Sequence, residues 1–159
     1  MSNFAALSLK TTLAFGLLVS FLAQALVIPA FVAELANQLP ELAPSVLLYT
    51  FIGILIAVCC QVVLIAIWAL HTRVLLNRIF DRRATPWINS ISIAIAVAAV
   101  LAIAGTAHLI TIHGAGNPAT IGILLVSGGV GLLLVLLISV LKSLLLQATE
   151  ISDDLEVVI

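Results

Sequence analysis

Four long runs without a single Asp, Glu, Lys or Arg dominate this chain: Thr11 to Ala33, Ser45 to Leu70, Trp87 to Ile112 and Ala119 to Leu141. Each is long enough to cross a hydrocarbon core of about 30 Å at about 1.5 Å per helical residue. A backbone in lipid must satisfy its own hydrogen bonds, so these runs read as helices. The alternation of a membrane β-barrel is absent. The expected fold is all-α: a four-helix transmembrane bundle, one integral membrane domain over 1–159, with a cytoplasmic helical extension over 142–159. Composition agrees, since 64% of residues are hydrophobic and 8% charged. Soluble domains hold about 25% charge, and this chain is too poor in charge to cover a water-facing surface. A net charge of −1 leaves no basic field for nucleic acid.

The breaks between runs carry turn chemistry. "ELANQLPELAP" contains Pro40 and Pro44, and "HGAGNP" contains two glycines and Pro118. Such short connections predict antiparallel neighbours. The middle connection, 71–86, differs. Arg73, Arg78, Arg82 and Arg83 cluster there, and the other two basic side chains are Lys10 and Lys142. Four spans put all six on one side, facing only Glu34 and Glu41 on the other. Lys and Arg are retained in the cytoplasm, so both termini are expected there, in a multi-pass protein of the cell membrane. Trp68 and Trp87 fall at the inner ends of their spans, where indoles favour the interface. "AQA" at 23–25 resembles a signal-peptide cleavage site, but the apolar run continues to Ala33 and no cleavage is expected.

Within "RVLLNRIFDRR" the apolar residues recur at helical spacing between arginines, the pattern of a short interfacial helix. Arg73, Arg78, Arg82 and Arg83 are the expected contacts for anionic lipid or an acidic partner. In the tail, Leu141, Leu144, Ala148, Ile151, Leu155 and Val158 step by three and four, as in a helix packing along a partner. Glu150, Asp153, Asp154 and Glu156 flank them, which suggests docking onto the arginine loop or association with another copy.

Polar groups inside the membrane are costly and mark candidate sites. Gln24 and Gln61 lie near the middles of the first two spans, where an interhelical amide bond would act as glue. His108 and Glu34 lie near the outer boundary and, with His113, form a weaker candidate pair or metal site. Pro29 removes a helix donor and should free the carbonyl of Ala25. Ala94, Ala98 and Ala102, with "SGGVG" at 127–131, predict close packing of spans three and four. "GGVG" is mid-membrane with no following Lys, so it is no phosphate loop. Cys59 and Cys60 are adjacent and badly placed for a mutual disulfide. No catalytic triad or metal motif is present, and no enzyme activity, cofactor or metal is expected.

The pattern resembles the domain-of-unknown-function family 2975, small four-helix membrane proteins of bacteria. The stretches that carry the resemblance are "QALVIPAFVAELA" at 24–36, "CCQVVLIAIWAL" at 59–70, "IFDRRATPWIN" at 79–89 and the ending "LLLQATEISDDLEVVI". Asn89 stands where the resemblance leads one to expect an acid. The resemblance implies an architecture rather than a reaction. The expected role is a non-enzymatic interaction, regulatory or accessory subunit, in contact with the bilayer and with its own copies or other membrane subunits. The alternative is a small oligomeric transporter or channel using Gln24 and Gln61. An outer-leaflet enzyme using His108 and Glu34 is the most remote reading.

Overall fold

The computed structural model describes residues 3–75, 85–114 and 116–156, and all the long elements are helical. The first span is built from α1 (Asn3–Leu22), a π-helical turn (Ala23–Val27) and α2 (Ile28–Gln38). A 3₁₀ segment, Pro40–Ser45, leads into α3 (Val46–Leu75). Then follow α4 (Thr85–His113) and α5 (Pro118–Glu156). Four stretches are long and apolar enough to cross a membrane: Leu7–Gln38, Pro40–Arg73, Thr85–His113 and Thr120–Leu144. This is the architecture of a multi-pass membrane protein.

Several boundaries differ from the sequence reading. The "ELANQLPELAP" break shrinks to one extended residue, because α2 runs through Gln38 and the 3₁₀ segment starts at Pro40. Leu39 turns the chain there at φ −126°, ψ 87°, with its N–H on Leu35 O at 2.9 Å, and Leu42 beyond it is buried. Arg73 lies on α3, which runs five residues past Leu70, to Leu75. The interfacial-helix expectation, with Arg78, Arg82 and Arg83, falls outside the described residues, as does Val158.

The α4–α5 connection behaves as its sequence predicts. Gly114 takes φ +61° after the last residue of α4, a conformation that suits glycine. Asn117 caps α5, its Oδ1 accepting the N–H of Thr120 at 2.9 Å. Pro118 occupies the first helical position, where its missing N–H is harmless. Starting from this cap, α5 continues without interruption through Glu156, so span four and the tail are one helix.

The spans pack side by side in chain order: α1 and α2 on α3, α3 on α4, and α4 on α5. They alternate in direction, since Gly16 meets Leu64, Ile52 meets Gly105, and Ala99 meets Gly131. The start of α1, the end of α3, the start of α4 and the end of α5 therefore share one end, the basic end. Packing relies on small residues, as expected where lipid supplies no hydrophobic drive between helices. Ala66 and Ala94 are buried. A Cβ on Gly131 would come within 2.5 Å of the Ala99 Cβ, and one on Gly53 within 2.9 Å of Ile28 Cγ2.

The alanine stripe divides. Ala94 is buried beside Val58, Cys59 and Val62 of α3, whereas Ala98, Ala99 and Ala102 line a groove of about 680 Å³ facing α5. Positions four apart drift by about 40° on a 3.6-residue helix, so the stripe turns from one neighbour toward the other. Ala99, one residue off the expected stripe, makes the close approach to Gly131.

Candidate functional site

The polar groups of the described residues gather at three depths. At mid-span, Gln61 Nε2 donates to Gln24 Oε1 at 3.3 Å. Gln61 is buried, and the second hydrogen-bonding group of Gln24, Nε2, is buried without an acceptor. The local backbone explains the position. Gln24 lies in the π turn, where the N–H of Ile28 reaches back five residues to Ala23 O. Pro29 follows directly and has no N–H with which to continue the ladder. The register change thus begins at Ala23, two residues earlier than the simple loss of a bond to Ala25 suggests. π turns of this kind recur at sites where a side chain must be re-aimed. Two neutral amides hold helices together and orient a polar guest, but they carry no proton at ordinary pH.

At the end opposite the basic one, α3, α4 and the 3₁₀ segment bring four polar side chains together. Tyr49 Oη and His108 Nδ1 are 2.9 Å apart, and Ser45 Oγ and His113 Nε2 are 3.1 Å apart. The two imidazoles stand edge to face at 5.9 Å between centroids, with the Tyr49 ring 5.9 Å and 6.2 Å from them. All four are half-buried. With Nδ1 unprotonated the Tyr49 hydroxyl donates, and with it protonated the ring donates to the hydroxyl oxygen. This cluster ties the ends of α3 and α4 by bonds that can reverse direction. Below it lies an apolar crevice of about 440 Å³ between α2, α3 and α4, with Tyr49 and Thr106 as its polar edge.

Glu34 is elsewhere. It is exposed and accepts from Gln38 Nε2 at 3.1 Å, one turn along α2. The geometry thus gives His108 to Tyr49 and Glu34 to Gln38, and does not bring the two together as a pair. Among the described residues no three His, Cys, Asp or Glu side chains are grouped as metal ligands.

At the basic end, Lys142 Nζ donates to Asn89 Oδ1 at 3.3 Å, which links α5 to α4. His71 on α3 is 6% exposed, and its Nε2 has no hydrogen-bond partner. Arg73 is half-buried two residues on.

Sequence reading overlooks Tyr49, Ser45 and His71. A signal exists for the first two: Ser45 and Tyr49 are spaced i, i+4 at the mouth of a span, so they share a face. Their partners, however, are more than fifty residues away. His71 is masked by the arginines that follow it.

Comparison with known proteins gives one result of substance. No curated protein and no solved structure matches the chain. A family model described as protein of unknown function (DUF2975) matches residues 30–159. The match starts in α2 and takes in the Tyr49–His108 cluster, Gln61, the 71–86 connection and all of α5, leaving α1 and Gln24 outside it. With most of its length so covered, the chain belongs to the DUF2975 family.

Proposed function

We propose that this protein is a non-enzymatic interaction or accessory subunit of a membrane assembly, with both termini in the cytoplasm and α5 as its docking helix. The observation that carries this reading is the position of α5. It packs chiefly on α4, exposes most of its apolar side chains, and at 39 residues runs about 58 Å, well beyond a core of about 30 Å. A helix that leaves the bilayer with a regular apolar register is suited to engaging another helix.

Orientation rests on charge. Lys10, Arg73, Arg78, Arg82, Arg83 and Lys142 fall at the basic end, which positive-inside retention assigns to the cytoplasm. The arginines of the 71–86 connection then meet anionic lipid head groups.

The experiment is purification of the full chain from native membranes in mild detergent, with the mass of the particle measured. The reading expects a particle heavier than one chain, either with a companion subunit or with further copies. A monomer with no companion across concentrations refutes it. A reporter active only outside the cytoplasm, fused after Ile159, should stay silent, and strong activity reverses the orientation.

One observation favours a second reading, a small oligomeric transporter or channel. Gln24 Nε2 is buried with no acceptor, a donor free for a passing polar solute. Solute-driven swelling of proteoliposomes, lost in Gln24→Leu and Gln61→Leu, would support that reading over the first.

A further inference from the structure

Two contacts fix the side of α5 that faces α4: Gly131 against Ala99, and Lys142 on Asn89. At about 100° per residue these positions lie roughly 20° apart around the helix. A different side, about 120° round from them on the same geometry, carries Val126, Val130, Leu133, Leu137, Leu141 and Leu144. Each of these is more than half exposed. Steps of three and four keep them in one stripe. The sequence continues in that register with Ala148, Ile151 and Leu155, while α5 stays helical through Glu156.

Inside lipid such a stripe is ordinary, because acyl chains cover it. Past Lys142 the sequence carries Glu150, Asp153, Asp154 and Glu156, charges that belong in water rather than among acyl chains, yet Ala148, Ile151 and Leu155 keep the apolar register. Among the described residues α4 begins at Thr85, about one turn beyond the Asn89–Lys142 level. The stripe also lies well away from the α4 side. What covers both its parts is a helix that leaves the bilayer at the same place and runs equally far.

We infer that this occupant is α5 of a second copy of the chain, lying parallel. Copies inserted the same way bring identical registers to the same height, so a two-fold axis sets each stripe against itself. Charge placement agrees. In a parallel pair every acid at the seam would face its own copy and repel. Glu150, Asp153, Asp154 and Glu156 all fall in registers outside the stripe. There they are opposite in sign to the arginines of the 71–86 connection of either copy. The inference rests on α5 being the docking helix and adds what it docks with.

The test uses full-length protein in membranes with Cys59→Ser and Cys60→Ser, which remove the free cysteines. Single cysteines are then placed at Leu137→Cys and Leu144→Cys on the stripe, and at Ser139→Cys and Ser143→Cys, which are equally exposed on the other side. Oxidation should give a product of twice the chain mass several-fold more strongly at the stripe positions than at the serines. Adding Ile151→Ser and Leu155→Ser should lower the Leu144→Cys product several-fold. Equal yields at all positions, or a maximum at the serines, overturn the inference. A stripe cysteine captured by a different protein overturns self-association while leaving α5 as the docking helix. No product at any position, with every cysteine labelled by maleimide, overturns both.

Discussion

Replacing Gly131 by alanine tests whether backbone proximity, rather than side-chain bulk, joins α5 to α4. Helix propensity alone favours the change by about 0.5–1 kcal/mol, because alanine loses less backbone freedom than glycine. Space opposes it. The new Cβ would stand 2.5 Å from the Ala99 Cβ, against about 3.5–4.0 Å for a relaxed carbon pair. Both atoms are fixed to backbone, so no rotamer relieves the clash and the helices must part by about 1 Å. A gap of that size forfeits a quarter to a half of the dispersion energy of each contact it opens. Overpacking of this kind costs about 1–3 kcal/mol, which exceeds the propensity gain. Gly131→Ala is therefore expected to be net destabilising by about 0.5–2 kcal/mol. Gly129 supplies the control, since a Cβ there meets nothing within 4 Å, and Gly129→Ala should be neutral or stabilising. Ala99→Gly combined with Gly131→Ala should recover much of the loss, because the clash needs both methyl groups. The assay is reversible denaturation in mixed micelles, followed by helical circular dichroism. If Gly131→Ala is as stable as Gly129→Ala, or the double variant recovers nothing, the close approach of α4 and α5 is wrong.

Three further outcomes are expected. Gln24→Leu and Gln61→Leu should show a coupling of about 0.6–2 kcal/mol in a double-mutant cycle, and strict additivity would mean the amides do not meet. His71→Leu should be neutral or stabilising by about 1–3 kcal/mol, since it removes a buried donor or acceptor without a partner; a clear loss of stability would show that Nε2 is satisfied. Tyr49→Phe should destabilise by about 0.5–1.5 kcal/mol and change the ring-proton shifts of His108 in NMR, because the ring loses its hydroxyl partner; unmoved His108 resonances would contradict the contact.

The sequence by itself determined the number of spans, their helical state and the sharing of one end by all six basic residues. Those features depend on local quantities: apolar length against bilayer thickness, and charge against the cost of burial. The turn before α5 was legible for the same reason, since Gly114 and Pro118 act on their own neighbours, while the Asn117 cap came with the structure. The Gln24–Gln61 bond was half legible. Each amide stood out as a polar residue in an apolar span, but that they meet, with Gln24 set in a π turn ahead of Pro29, spacing does not reveal. Only the tertiary structure decided which polar groups meet at the far end. Charge and depth suggested His108 with Glu34, yet α3 and α4 pair in a register that sets Tyr49 beside His108 and Ser45 beside His113. It also decided that the alanine stripe divides between two neighbours, that Ala99 meets Gly131, and that α5 leans chiefly on α4. The physical reason is common to all of these. In lipid, nearly every side of these helices is apolar, so the hydrophobic pattern that orients a helix in water is missing. Rotation and register are set instead by close packing of small residues between chains of atoms distant in sequence.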